Sequence, residues 1–143
     1  MIDRGLTHVA LPVTDLDASL AFWAHYAAMK PVHVRGDSAG GSRVAWISDG
    51  TRAFVVVLIE LPEVSHPLLP IAHLGVGCAS REEVDRLVAE ARAEGRTVQG
   101  PTDSSYPVGY WALISDPDDH TLEISHGQEI ALTVESSFEN ESR

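Results

Sequence analysis

The sequence predicts an α+β fold made of two tandem βαβββ modules. Two observations carry this prediction. Strand and helix signals follow the same order in both halves of the 143-residue chain, and a segment with three prolines, residues 62–70, separates the halves. We therefore expect one domain over residues 1–128, with modules at 1–61 and 71–128 joined by that linker, and a tail at 129–143.

The first module opens with an alternating segment, Leu6–Val13, which predicts a strand with one apolar face. Thr14 and Asp17 resemble a capping box, so a helix should begin here and run to about Ala28, with apolar residues at helical spacing. Three more strands are predicted, at residues 31–35, 43–48 and 53–61.

The second module repeats this order. Ile71–Cys78 predicts a strand, Ser80 and Glu83 form a capping box, and Gly95 is placed to end the helix. Further strands are predicted near residues 97–99, 110–115 and 120–125. Residues after Gln128 have the composition of an acidic, poorly ordered tail.

Composition narrows the classes of function. The net charge of -11 disfavours nucleic acid and anionic membranes as partners. No apolar run approaches the roughly 20 residues of a bilayer span. The N-terminal residues lack signal-peptide character, so we expect a cytoplasmic protein. Cys78 is the single cysteine, which excludes an internal disulfide and predicts a buried, reduced thiol.

One histidine and one glutamate occupy matching places in the two modules. His8 and His73 lie on the first strands, and Glu60 and Glu123 lie on the last. Equivalent positions in two related modules can converge on one point, which predicts a site of two imidazoles and two carboxylates. Glu60 interrupts an apolar run, where an ionised carboxylate needs a partner, a metal or a water-exposed strand end.

Strand parity leaves room for a ligand at this site. His8 shares its face with Ala10, and His73 shares its face with Gly75 and Gly77, so small residues flank both imidazoles. Imidazole and carboxylate without thiolate suit Zn, Ni, Fe, Mn or Co. We therefore expect one divalent metal per site.

Three segments carry a family resemblance, at Leu6–Leu16, Ala72–Val76 and Ser115–Gly127. Through them the chain resembles the vicinal oxygen chelate superfamily, which includes glyoxalase I, bleomycin-resistance proteins and extradiol dioxygenases. The resemblance implies a curved, mostly antiparallel, half-barrel-like sheet with helices outside. Asp119 stands where the final turn of the family usually has Gly.

The resemblance also implies ligands. His8, His73 and Glu123 match the family's metal ligands, and Glu60 resembles the fourth ligand of glyoxalase I. Glu63 or His66 takes that fourth place if the strand register differs.

A glyoxalase-type lyase or isomerase follows, in which the metal chelates adjacent oxygens of a small substrate. Glu60 or Glu123 would then remove a proton and leave an enediolate. Two alternatives stay open. One is an Fe(II) extradiol-type dioxygenase using His8, His73 and Glu123, which a fourth carboxylate disfavours. The other is a metal-free binding protein of the bleomycin-resistance type.

A fosfomycin-modifying enzyme ranks lower, because Ala10 stands where that family has Thr. We expect a homodimer, since the edges of half-open sheets need a partner. Aromatic residues of the second module should help to shape a pocket wall or pack in the core: Tyr106, Tyr110 and Trp111. The other histidines should be surface residues or, near Glu123, supports for a ligand or carriers of protons: His25, His33, His120 and His126.

Overall fold

The computed structural model describes residues 2–36 and 42–142. The first module contains β1 (His8–Val13), α1 (Leu16–Ala27), β2 (Lys30–Arg35), β3 (Val44–Ser48) and β4 (Val55–Glu60). The second contains β5 (Leu74–Gly77), α2 (Arg81–Ala93), β6 (Val98–Asp103), β7 (Tyr110–Ser115) and β8 (Thr121–His126), and α3 (Ile130–Glu141) follows. The predicted α+β fold with two βαβββ modules is confirmed.

Each module builds its own four-stranded sheet, in the order β1-β4-β3-β2 or β5-β8-β7-β6. The first and last strands of a module are parallel neighbours, and the pairs β2–β3, β3–β4 and β6–β7 are antiparallel. A parallel pair needs a long crossover connection, and the helix with its two following strands supplies it. Among the described residues, no helix has the length and apolar character required to cross a membrane.

The core of the first module lies between α1 and one face of its sheet. Leu11 and Val13 of β1 are buried on this face, and Trp23 of α1 is fully buried. The helix is capped by Asp15, whose carboxylate accepts the amide of Ala18 at 3.1 Å. The predicted cap at Thr14 is wrong by one residue, because the Thr14 hydroxyl donates to Asp118 instead.

The core of the second module follows the predicted helix stripe. Val84, Leu87, Val88 and Ala91 of α2 are buried. Ser80 caps this helix by accepting the amide of Glu83, and the chain leaves the helix through Gly95 at a φ of 76°. The cap at Ser80 and the helix end predicted from the sequence are confirmed, while the Glu83 carboxylate accepts the amide of Ala79 instead of that of Ser80.

The chain divides into two compact units that nearly follow the modules. The first unit runs to His73 and also includes Ser115–Thr121, and the second comprises Leu74–Ile114 and the residues from Leu122 onward. Residues 61–73 between β4 and β5 contain no helix or strand.

The turn at 115–121 joins the first unit through buried polar groups. Asp116 is 3% exposed and accepts hydrogen bonds from the amides of Asp118 and His120 and from the indole of Trp23. Burial raises the pKa of the Asp116 carboxyl above its usual range. The aspartate that begins this turn is therefore a structural residue.

His120 is fully buried beside that turn. Its Nδ1 accepts the amide of Leu68 at 3.0 Å, and its Nε2 donates to the carbonyl of Pro12 at 2.7 Å. Both ring nitrogens are thus engaged by backbone from two other segments. The sequence-based expectation of a solvent-exposed histidine or a proton carrier is wrong here, since this imidazole ties the linker and β1 to the turn.

The C-terminal residues correct a second expectation. Residues after Gln128 were expected to be poorly ordered, but Ile130–Glu141 form a 12-residue helix, α3. The segment contains neither Gly nor Pro, and Ala, Leu and Glu favour helices. None of its residues is buried in the described chain. The helix is therefore local structure, and its acidic composition stands as predicted.

Candidate functional site

A cavity of about 540 Å³ lies on the open face of the first sheet, on the opposite side from α1. Its size falls in the range of small-molecule sites in proteins. Strands β1, β2, β3 and β4 and the loop before β4 all contribute to its walls. The lining includes His8, Val32, Trp46, Arg52, Phe54 and Val57. The walls are thus mainly apolar, with a few polar side chains among them.

Strand register explains why these residues share one face. His8 is paired with Val55, and Trp46 is paired with Val57, and paired residues project to the same side of a sheet. The buried residues Val56 and Leu58 alternate with these and face the helix. The face of β1 predicted to be free of bulky apolar residues is the one that borders the cavity.

His8 is the exposed imidazole in this wall. The hydroxyl of Thr7 lies 2.9 Å from its Nδ1. This contact orients the ring and leaves Nε2 as the nitrogen available to a ligand.

Glu60 lies elsewhere. It is paired with Val13, which is fully buried and faces α1, so Glu60 projects to the opposite side of the sheet from His8. Glu60 also lies five residues along β4 from Val55, the partner of His8, which is a distance of about 16 Å at ~3.3 Å per residue. Glu60 therefore cannot share a metal with the His8 of its own chain.

The carboxylate of Glu60 has other partners. It accepts two bonds from the Arg43 guanidinium, at 3.0 and 2.8 Å, and one from the amide of Leu16 at 2.8 Å. These contacts, with the Arg43 bonds first, lower the pKa of Glu60 to about 2. The sequence analysis assigned Glu60 as a metal ligand and base. The structure corrects this assignment, because an ion pair and a helix N-terminus satisfy the charge of Glu60.

Register also shows which residue of the first module matches Glu123. Glu123 is paired with Gly75, two residues after His73, and Val57 is paired with Ala10, two residues after His8. The first module thus has an aliphatic side chain where the second has a carboxylate. The two alternatives for the fourth ligand, Glu63 and His66, are exposed in the irregular segment.

The second module presents its predicted residues beside open space. His73 donates from Nδ1 to the carbonyl of Ile71 at 2.7 Å, which puts the lone pair on Nε2. Glu123 accepts a bond from the side-chain amide of Gln128 at 3.1 Å. A Cβ added at Gly75 would meet only the Cβ of Glu123, at 3.9 Å, so this face is uncrowded.

The donor chemistry of these residues fits a divalent metal. His73 has the hydrogen bond from Nδ1 that metal-binding histidines commonly make. Across residues 2–36 and 42–142, however, no three His, Cys, Asp or Glu side chains come close enough to hold one ion.

The aromatic residues expected in a pocket wall belong to the second unit and do not line this cavity. Tyr110 donates to the carboxylate of Asp85 and lies under the Arg81 guanidinium, and Trp111 donates to Ser104 at 2.9 Å. The cavity uses Trp46 and Phe54 instead. The parity of β3 carries the signal for Trp46, which lies between the buried residues Ala45 and Ile47.

Cys78 is half-buried, and burial raises the pKa of its thiol to about 11. The thiolate is therefore scarce at neutral pH, which argues against a nucleophile, although the thiol is half-buried and not buried as expected. His126 places its Nδ1 3.0 Å from the carbonyl of Cys78.

Comparison with known proteins decides the family. The model of the Glyoxalase/Bleomycin resistance protein/Dioxygenase superfamily matches residues 5–124. The chain belongs to this superfamily. A curated relative, an uncharacterized protein of Pseudomonas aeruginosa, is 35% identical over 126 residues, which cover 86% of this chain and 89% of the relative. The resemblance stated from the sequence is confirmed.

Solved structures of the superfamily share the fold. Glyoxalase I of Leishmania major, a trypanothione-dependent enzyme, gives a TM-score of 0.68 at 20% identity and covers 98% of this chain and 99% of its own. A mutant of the fosfomycin resistance protein FosX from Listeria monocytogenes, complexed with Mn(II) and 1S,2S-dihydroxypropylphosphonic acid, gives 0.71 at 19% identity, covering 93% and 99%.

An antibiotic-binding protein, TnmS3 from Streptomyces, gives a TM-score of 0.60 at 19% identity and covers 88% of this chain and 98% of its own. These superfamily members differ in what they do, and at such identities they share the fold alone. The reaction must therefore be argued from the site of this chain.

Proposed function

We propose that the protein binds a small organic molecule in the cavity of the first module and acts on it as a metal-dependent lyase or isomerase. The observation that carries the proposal is His8 in the cavity wall, with Nδ1 engaged by Thr7 and Nε2 left for a ligand. A histidine held in this way beside a mainly apolar cavity can serve as a metal ligand next to bound substrate.

His8, His73 and Glu123 would hold the metal, which we expect to be Zn, Ni, Fe, Mn or Co. The metal, when bound, would supply Lewis-acid polarisation of a substrate carbonyl. The chain's own groups have separate tasks. Thr7 orients His8, the Ile71 carbonyl fixes the tautomer of His73, and Glu123 would take the substrate proton.

A homodimer could bring the donors of the two modules together. We propose that His8 of one chain and the ligands His73 and Glu123 of another complete each site. Support comes from the sheet edges, because β1 and β5 are edge strands of their sheets and such edges need a partner.

The second candidate is an Fe(II) dioxygenase of the extradiol type. Without Glu60, the proposed ligands are two histidines and one carboxylate. This set favours the dioxygenase, because non-haem Fe(II) oxygenases use two histidines and one carboxylate. The earlier objection, a fourth carboxylate that would block open positions, no longer applies. A metal-free binding protein is the third possibility, with the cavity alone as its functional site.

Metal analysis of the purified protein tests the proposal. We expect about one divalent metal per chain in the wild type and strong loss in the double variant His8→Ala/His73→Ala. The variant His66→Ala is the matched control, because this exposed imidazole lies in the irregular segment. Stoichiometric metal in the double variant would contradict the ligand assignment, and absence of metal binding by the wild type would favour the metal-free protein. Consumption of O₂ with a catechol and Fe(II) would replace the isomerase by the dioxygenase.

A further inference from the structure

Arg52 is the cation in the cavity lining. Its Nε donates to the hydroxyl of Thr51 at 3.2 Å, which holds the start of the guanidinium in place. The carboxylate of Asp49 accepts hydrogen bonds from the hydroxyl and the amide of Thr51, which lower the pKa of Asp49, and the charge of Arg52 also contributes to the lowered pKa. Arg52 therefore brings a positive charge to the cavity wall, with Asp49 as a nearby carboxylate.

Other arginines of the chain are used differently. Arg43 binds Glu60 at 2.8 Å, Arg81 binds Asp103 at 2.7 Å and Arg86 binds Glu90 at 2.8 Å. Carboxylates are plentiful in a chain of net charge -11, and the three arginines paired in this way do not line the cavity. Because Arg52 lies in the cavity wall, its guanidinium can bind an anionic group of a ligand.

The wall beside Arg52 is flat and apolar. Trp46 is 43% exposed on the open face of the sheet, and Val57 is its register partner. Phe54 and Val32 extend this surface. An indole left open in this way is covered favourably by a planar or aliphatic body, because burial of apolar area stabilises a complex.

We infer that the ligand of this cavity is an organic acid with a flat apolar body, whose carboxylate binds Arg52 while the body packs against Trp46. The inference rests on the proposed small-molecule site but requires no metal. A guanidinium suits a carboxylate because its donors can form two parallel hydrogen bonds. Asp3 also lines the cavity and opposes an anion there, so its charge should weaken binding rather than cause it.

Calorimetric titration of the full-length protein in EDTA tests the inference with two probes of similar shape, 2-naphthoate and neutral naphthalene-2-methanol. We expect the acid to bind at least about fivefold more tightly than the alcohol, as one charge-assisted hydrogen-bonded pair provides. Arg52→Gln should remove this preference without weakening the alcohol. Asp3→Asn should strengthen binding of the acid, and Trp46→Ala should weaken both probes.

Arg86→Gln is the matched control, because Arg86 lies on α2 and does not line the cavity. Circular dichroism of each variant checks that it is folded. Equal affinity for acid and alcohol in the wild type, or an acid preference that survives in Arg52→Gln, would overturn the inference. Failure of both probes to bind would overturn it too. Failure of the proposed metal chemistry appears only in the metal analysis, because the titration contains EDTA.

Discussion

At the scale of single residues, Glu60 shows how a carboxylate in an apolar strand can be stabilised without a metal. The residue lies at the end of β4, where the register places it beside Val13 and above the first amide of α1. Arg43 supplies the opposite charge. A sequence pattern reports that such a carboxylate needs a partner, but arginine, helix terminus and metal all satisfy that need.

Replacing Glu60 by Gln should therefore lower stability and leave metal content unchanged. Loss of the charge-assisted bonds to Arg43 and Leu16 should cost about 1 kcal/mol at neutral pH, or roughly 3–5 °C in Tm. The measurement is thermal unfolding of wild type and Glu60→Gln, with exposed Glu63→Gln as the control. Loss of bound metal in Glu60→Gln at unchanged Tm would contradict the assignment of Glu60 to a structural ion pair.

The same variant has a defined pH dependence. The pKa of Glu60 is about 2 in the folded protein, below its ordinary value of 4.5. A depressed carboxyl pKa adds stability above pH 4.5, and this contribution is lost as the pH falls from about 4.5 towards 2. The Tm difference between wild type and Glu60→Gln should be full at pH 7 and shrink below pH 4.5.

At the scale of elements, the helices differ in how they are stabilised. Helices α1 and α2 have side-chain caps, at Asp15 and Ser80, and bury one face against a sheet. Helix α3 has no side-chain cap and buries none of its residues in the described chain. Ile130, Val134 and Phe138 are spaced by four residues, so they form an exposed apolar stripe along α3.

Truncation after Gln128 should leave the rest of the fold almost unchanged. Because α3 buries no residue, the Tm should change by no more than about 2 °C, which is the scale of a surface change. Circular dichroism should show the loss of about 12 helical residues. A fall in Tm of many degrees would mean that the apolar stripe is covered in solution, and light scattering of the truncated protein would then show whether a dimer was lost.

At the scale of the whole molecule, the proposed site depends on two chains. In a shared arrangement, a mixed dimer of His8→Ala and His73→Ala chains contains one site with both histidines intact and one site with neither. Each variant alone has no intact site. Mixing the two variants should therefore restore part of the metal binding, to about half of the sites in a mixed dimer.

Co-expression with two different tags, tandem purification and metal analysis measure this restoration. A doubly tagged dimer of His8→Ala with itself is the control and should stay without metal. A monomer by light scattering at micromolar concentration would remove the dimer proposal. A stable mixed dimer that binds no metal would show that a site shared in this way does not exist.

Local and periodic features of this protein follow from the chain order alone. The two βαβββ modules, the cap at Ser80, the end of α2 at Gly95 and the apolar faces of strands were all predicted correctly. Each depends on residues a few positions apart, because strand and helix periods and backbone caps act over one or two turns. The superfamily resemblance, which three short segments carry, was also confirmed.

Strand register and the burial of distant polar groups were decided by the tertiary structure. Glu60 lies 52 positions after His8 and Glu123 lies 50 positions after His73, yet β4 pairs with β1 so that Val57 takes the place opposite Ala10. A shift of three positions moved Glu60 to the other face, since neighbouring strand residues point in opposite directions. The bond from His120 to Pro12 joins residues 108 positions apart. Such contacts depend on which strands and turns pack together in the fold, and the local periodicity of the sequence does not predict that packing.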